Sequence, residues 1–74
     1  MLRILIAEDE DVIRRGLVCT TDWLSMDCVV VAEASDGQEG LEKILESRPD
    51  VVIADICMPC LDGIEMIRQA EGTL

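Results

Sequence analysis

The sequence predicts an α/β fold: a parallel sheet with helices on both faces, built in the order βαβαβα. Three short aliphatic runs, at residues 4–7, 29–32 and 51–54, are typical of strands that are buried on both faces. Segments with helical spacing of apolar residues separate these runs and follow the last one. Strands joined by helices are parallel, and their crossovers are right-handed. We therefore expect a doubly wound, three-layer fold with strand order 2-1-3.

The first helix is expected from Glu10 to about Thr21. Within it, Ile13, Leu17 and Thr21 repeat at intervals of four, which predicts one covered apolar stripe. Trp23 lies just beyond this stripe and is expected to extend or cap it.

The second helix has clearer end signals. Asp36 can cap it, and Glu39 stands three positions later, which is the spacing of a capping box. Pro49 predicts a stop near Ser47, because proline disfavours a helical conformation in the residue before it. The inner face is expected to hold three aliphatic residues, Leu41, Ile44 and Leu45.

The third helix is expected to begin near Gly63 and to end at Gly72. Its inward residues are predicted to be Ile64, Ile67 and Ala70, and Met66 is interpreted as core filling. No repeat, linker or low-complexity stretch interrupts the chain, so we expect residues 1–74 to form one domain at most.

Composition and charge exclude several classes of function. The 74 residues carry six basic and sixteen acidic side chains, a net charge of −10, shared equally between the two halves of the chain. With no basic patch and a single aromatic residue, the chain by itself is not expected to bind nucleic acid or anionic lipid. No run approaches the ~18 apolar residues of a membrane span, and no targeting segment is visible. We expect a cytoplasmic protein.

Acidic residues gather at the predicted switch point of the sheet. Glu8 and Asp9 follow the first strand, and Asp55 follows the third. In a doubly wound sheet these strand ends are neighbours, and ligands bind beyond them. Converging carboxylates repel each other unless a cation neutralises them. Because oxygen ligands without histidine favour a hard ion, we predict a Mg²⁺ site at Glu8, Asp9 and Asp55.

The same residues resemble the receiver domain of two-component response regulators. Glu8 and Asp9 follow the first strand, and residues 55–63 match the pattern D-x-x-M-P-x-x-D-G after the third. Residues 34–41 resemble the second strand-to-helix segment of that family. The resemblance covers the whole chain and implies a flavodoxin-like fold. Trp23, before the second strand, is a weaker likeness to receivers joined to arabinose-regulator-type helix-turn-helix domains.

The resemblance implies a role for each matched residue. Asp55 matches the phosphoacceptor, which takes a phosphoryl group from a phosphohistidine of a sensor histidine kinase. Asp9 and Asp55 match side-chain ligands of Mg²⁺, Cys57 matches the residue that supplies a backbone carbonyl, and Glu8 matches an acid that reaches the metal through water. The implied output is transcription, with DNA bound only through an output domain that these residues do not contain. No enzymatic activity is implied beyond self-phosphorylation and dephosphorylation.

The match covers the N-terminal part of a receiver, which normally has five strands and five helices. Residues 1–74 supply three of each, so the family's hydroxyl residue after strand 4 and lysine after strand 5 are missing. In the family that lysine neutralises the phosphoryl group. Lys43 is the only lysine and lies on the second helix, too far away to replace it. We therefore expect impaired phosphotransfer, whether the chain is a fragment or a truncated product.

The four cysteines leave alternative functions open. In the cytoplasm they are expected to be reduced thiols, and Cys19 and Cys28 are interpreted as small core residues. Cys57 and Cys60 form a C-x-x-C motif, which suggests a thiol-redox module or, with the other two, a zinc site. Acidic neighbours disfavour the redox role. The spacing of Cys19 and Cys28 is too long for a usual zinc site.

The predicted strand order also leaves an unprotected sheet edge. Residues 51–54 are aliphatic and carry neither the charge nor the proline that protects natural edges. We expect a homodimer built around this edge about a two-fold axis. A non-catalytic dimerising scaffold is therefore a further alternative function.

Overall fold

The computed structural model describes residues 1–54 and 63–70 of the 74-residue chain. Three strands, β1 (Leu2–Ala7), β2 (Cys28–Ala34) and β3 (Val51–Ala54), form a parallel sheet in the order β2-β1-β3. The three helices α1 (Asp11–Thr20), α2 (Gly37–Ser47) and α3 (Gly63–Ala70) alternate with the strands, and a short 3₁₀ turn at Leu24–Met26 precedes β2. The predicted fold class and strand order are confirmed.

The core lies between the sheet and the pair α2 and α3. It is a cluster of six residues from both layers that are each at most 1% exposed: Leu5, Ala7, Ala34, Ile44, Met66 and Ala70. The interpretation of Met66 as core filling is confirmed. Leu5 and Ala7 of this cluster alternate along β1 with Ile4 and Ile6, which are buried on the opposite face, where α1 lies.

A glycine allows α2 to approach α3 closely. A Cβ built on Gly40 would lie 2.3 Å from Sδ of Met66 and 3.7 Å from Cβ of Ala7. Carbon and sulfur atoms do not approach to 2.3 Å without overlap, so only the hydrogen of glycine fits between α2 and the buried Met66 side chain.

Three of the predicted inner residues lie on the outside of α2 and α3. Leu45 is 51% exposed, Ile64 is 59% exposed and Ile67 is 38% exposed. Each helix buries only the narrow stripe that faces the sheet and its neighbouring helix. On α3 that stripe is Met66 and Ala70, four residues apart, and Ile67 is turned about 100° away from Met66.

The stripe predicted on α1 is only partly covered. Leu17 is half-buried, but Ile13 is 57% exposed and no residue of α1 is fully buried. On β3, Val51 and Ile53 pair in register with Ile4 and Ile6, and both remain more than a third exposed. A single helix covers β1 but leaves β3 partly open on this face. Because Ile13 on α1 is more than half exposed, the expectation that it is covered is wrong.

The ends of α2 agree with the sequence signals. The Asp36 side chain accepts a hydrogen bond from the Glu39 backbone N–H at 2.8 Å, and the Glu39 carboxylate accepts one from the Ser35 N–H at 3.2 Å. The capping interaction is thus confirmed, although the returning bond reaches Ser35 rather than Asp36. After Ser47 the chain turns through Arg48, whose backbone is left-handed with φ 47°, into the buried Pro49.

Within the described ranges 1–54 and 63–70, no helix has the length and apolar character needed to cross a bilayer.

Candidate functional site

The carboxyl ends of β1 and β3 lie side by side. Ala7 pairs with Ala54 at the end of the parallel ladder, so the chain leaves both strands at the same edge of the sheet. Glu8 follows β1 directly, and its backbone N–H donates to the Ala34 carbonyl of β2 at 3.0 Å. The hydrogen-bonded pairing of β1 with β2 thus continues one residue beyond the end of β1. Asp9, the next residue, is exposed at this edge.

Glu8 and Asp9 have the chemistry expected of ligands for a hard cation. Asp9 forms no hydrogen bond or ion pair with any other residue in the described segments, so its carboxylate oxygens remain available there. Glu8 is half-buried, and its Oε1 atom accepts a weak hydrogen bond from the Glu10 backbone N–H at 3.4 Å. Carboxylate oxygens are the ligands that Mg²⁺ prefers, so these two residues fit the ion.

The rest of the predicted ligand set lies outside the described residues. Asp55 and Cys57 belong to residues 55–62, which separate β3 from α3. Among residues 1–54 and 63–70, no three His, Cys, Asp or Glu side chains come together as a potential metal site. A site of three carboxylates at this edge therefore needs Asp55 in addition to Glu8 and Asp9, and its assembly stays a prediction.

An arginine that the sequence did not single out is bound to this edge. The Arg14 guanidinium donates from Nη1 to the Glu8 carbonyl at 2.9 Å, from Nη2 to Oδ1 of Asp11 at 2.7 Å and from Nε to Oε1 of Glu33 at 3.2 Å. The other oxygen of Glu33 pairs with Arg15. Arg14 thus joins the end of β1, the start of α1 and the end of β2.

The surroundings of Arg14 favour its charged form. Burial alone would lower the pKa of the Arg14 guanidinium, but hydrogen bonds and charge attraction from Asp11 and Glu33 outweigh this effect and raise the pKa above its usual value. The positive charge is therefore permanent beside the acidic turn.

The sequence contained only part of the signal for this arrangement. Asp11 and Arg14 have the i,i+3 spacing of a helical ion pair. Glu33 follows the predicted strand at residues 29–32, but it lies within β2, where it pairs with Ile6, and its carboxylate accepts from both arginines. The 19-residue separation of Arg14 and Glu33 hides this contact from any local pattern.

The two described cysteines are free thiols, and one of them differs from expectation. Cys19 is exposed on α1, where its sulfur accepts a hydrogen bond from Arg15, so its interpretation as a core residue is wrong. Because α1 packs on the sheet through only part of its surface, Cys19 lies on the exposed side of the helix. Cys28 is half-buried and donates to the Met26 carbonyl. Cys57 and Cys60 lie outside the described residues, so the redox and zinc alternatives stay predictions.

Comparison with known proteins identifies the family. The family model of the response regulator receiver domain matches residues 4–72. The transcriptional regulatory proteins YesN and LiaR of Bacillus subtilis (strain 168) are 38% identical over 72 residues and 39% identical over 69 residues. These matches cover 97% and 93% of this chain, but 20% and 32% of the two relatives. The chain therefore spans a third or less of the length of these relatives.

A solved structure gives the same assignment. The REC domain of AraT, a response regulator from Geobacillus stearothermophilus, is 42% identical and superposes with a TM-score of 0.91. The match covers 99% of this chain and 57% of that domain. The strand order, the acidic turn after β1 and the family match agree. The chain belongs to the response regulator receiver domain family.

Proposed function

We propose that residues 1–74 are the N-terminal part of a receiver domain that accepts a phosphoryl group on Asp55 from a sensor histidine kinase. The main support for this proposal is the position of Glu8 and Asp9 at the carboxyl end of β1, beside the strand end that leads into Asp55. The family match over residues 4–72 supports the same assignment.

The proposed chemistry is a transfer between two side chains. A carboxylate oxygen of Asp55 attacks the phosphorus atom of a phosphohistidine, the P–N bond breaks, and its electron pair returns to the imidazole of the kinase. An acyl phosphate on Asp55 results. Asp9 and Asp55 would hold Mg²⁺ directly, Glu8 through water and Cys57 through its carbonyl oxygen. The ion would supply charge neutralisation for the phosphoryl oxygens.

The 74-residue chain is proposed to perform this step slowly. Its only lysine is Lys43, in the middle of α2, and the family's neutralising lysine has no counterpart in these residues. Losing one positioned stabilising group commonly costs about 10²–10³ in rate, by analogy with loss of an oxyanion-hole donor.

Labelling by a small phosphodonor tests the proposal. The chain is incubated with acetyl phosphate and Mg²⁺, and the addition of one phosphoryl group is followed by intact-protein mass spectrometry. We expect slow labelling that requires Mg²⁺ and is absent in Asp55→Asn, at a rate about 10²–10³ below that of a complete receiver. Labelling that persists in Asp55→Asn, or no labelling of the parent after prolonged incubation, would contradict phosphoacceptance. Labelling as fast as a complete receiver would contradict the role given to the lysine.

Partners and location follow from this proposal. The matched relatives are transcriptional regulatory proteins, so a DNA-binding output domain outside these residues is the proposed effector, in the cytoplasm. The domain would act as a regulated phosphoacceptor and not as an enzyme that turns over a separate substrate. No contact with a membrane is proposed.

We also propose that the 74-residue chain pairs with a second copy through β3. In the described part of the chain β3 pairs only with β1, so its other edge is open, and Val51 and Ile53 on the face next to α1 are 38% and 39% exposed. The opposite edge of the sheet is better protected, because β2 contains a register shift and the charged Glu33. Pairing of two β3 edges about a two-fold axis would satisfy backbone groups and cover apolar surface.

A further inference from the structure

Arg14 holds the residue that precedes Asp9. The backbone of Glu8 is fixed on both sides, since its N–H donates to the Ala34 carbonyl at 3.0 Å and its carbonyl accepts from Arg14 Nη1 at 2.9 Å. Asp9 has no comparable side-chain anchor in the described ranges, so the direction in which the chain enters Asp9 depends on the Glu8 peptide.

The anchor itself is rigid. The Arg14 side chain is 13% exposed and uses each of its three guanidinium nitrogens on a different residue. Two of the acceptors, Asp11 and Glu33, are carboxylates on α1 and β2, so the guanidinium plane is held by charge-assisted bonds on two elements. A guanidinium fixed in this way can orient the Glu8 carbonyl more closely than a flexible ammonium group.

We propose that Arg14 is the positioning residue of the cation site, which sets the geometry of the Glu8–Asp9 turn without touching the ion. This inference rests on the proposed function, because it assumes that Asp9 binds Mg²⁺. Groups that orient ligands from outside the coordination sphere commonly change metal affinity about 10–100-fold when they are removed.

The sign of the effect separates positioning from plain electrostatics. Arg14 is a positive charge bound to the carbonyl of Glu8, one of the proposed ligands, so its removal should by charge alone strengthen Mg²⁺ binding. A positioning role predicts the reverse. Weaker binding in Arg14→Gln therefore cannot arise from the lost charge.

Arg15 provides the matched control. Unlike Arg14, it does not bond to the Glu8 carbonyl, but it pairs with the same Glu33 carboxylate and carries the same charge. Its side chain is 54% exposed, and its remaining hydrogen bond goes to the Cys19 thiol and not to Glu8. Arg15→Gln changes the net charge and the Glu33 contact as Arg14→Gln does, but it keeps the bond to the Glu8 carbonyl.

Isothermal titration of the 74-residue chain with MgCl₂ tests the inference. We expect Arg14→Gln to raise the dissociation constant for Mg²⁺ about 10-fold and Arg15→Gln to leave it within about two-fold of the parent. Thermal unfolding in EDTA reports the stability of each variant separately. If Arg14→Gln does not fold, Arg14→Lys carries the test: it keeps the charge but cannot make all three bonds, and should also bind Mg²⁺ more weakly.

The outcomes distinguish this inference from the proposed function. A parent chain that binds Mg²⁺ while folded Arg14→Gln or Arg14→Lys binds equally well or better contradicts the positioning role alone. Equal weakening by Arg14→Gln and Arg15→Gln also contradicts it, because the Glu8 contact would then be irrelevant. A parent chain that binds no Mg²⁺ contradicts the proposed cation site and removes the basis of the inference with it.

Discussion

At the scale of single residues, Arg48 adopts an unfavourable left-handed backbone conformation at the end of α2. It ends α2 in the left-handed region, with φ 47° and ψ 64°, where its N–H donates to the Ile44 carbonyl at 2.9 Å. This conformation satisfies a terminal carbonyl of the helix and directs the chain toward Pro49 and β3. For a residue with a side chain it costs roughly 1–2 kcal/mol, and glycine avoids that cost.

Arg48→Gly is therefore expected to stabilise the chain. Among residues 1–54 and 63–70, the hydrogen bonds of this position are made by its backbone, including the carbonyl that accepts from Arg3, and these remain in the variant. We expect a gain of about 0.5–1 kcal/mol in the free energy of unfolding, measured by urea denaturation. Glu46→Gly, on the exposed side of the α2 interior, is the control and should lose about 1 kcal/mol. A loss of stability in both variants would show that the left-handed turn is not strained.

At the scale of elements, the sequence was informative where a signal is local. Short aliphatic runs located all three strands, and Asp36 with Glu39 located the start of α2. The inward side of the helices was harder to predict. Leu45 and Ile67 have the right polarity for a core position but are exposed, whereas Ile44 and Met66, which were also predicted to be core residues, are buried.

The site shows the same division between local and distant information. Glu8 and Asp9 could be placed because they follow a recognisable strand. The ion pair between Arg14 and Glu33 could not be predicted, since it depends on how α1 lies against the sheet. A contact between elements that are distant in sequence produces no regular spacing of residues in either element, so a pattern search does not find it.

The exposed edge of β3 gives a prediction at the scale of an element. Ile53→Lys places a charge on the edge strand and should turn a dimer of the 74-residue chain into a monomer at micromolar concentration. Val29→Lys is the control, because Val29 is also 39% exposed but lies on β2, the edge with the register shift. Sedimentation velocity measures both. Higher salt should tighten the parent dimer by screening the net charge of −10.

Two results would contradict the β3 dimer. A well-folded parent chain that sediments as a monomer would show that the β3 edge does not self-associate. A dimer that survives Ile53→Lys and dissociates with Val29→Lys would place the contact on the β2 edge instead.

At the scale of the whole molecule, the strongly acidic chain is expected to gain stability from the cation that is proposed to bind at Glu8 and Asp9. The fold places Glu8 and Asp9 where β1 ends beside β3, and the charge of −10 makes unneutralised carboxylates costly. A cation that binds only the folded state stabilises it by mass action. Binding at this edge should therefore be visible in the unfolding of the entire chain.

The most direct test of the cation site is the thermal unfolding midpoint with and without Mg²⁺. At ten times the dissociation constant, Mg²⁺ should stabilise the parent chain by about 1.4 kcal/mol, a shift of roughly 5–10 °C for a chain of this size. Asp9→Asn should lose most of the shift, whereas Glu42→Gln, which removes the same charge from the exposed side of α2, should retain it. An unchanged midpoint in the parent, or an equal shift in Asp9→Asn, would contradict the proposed site.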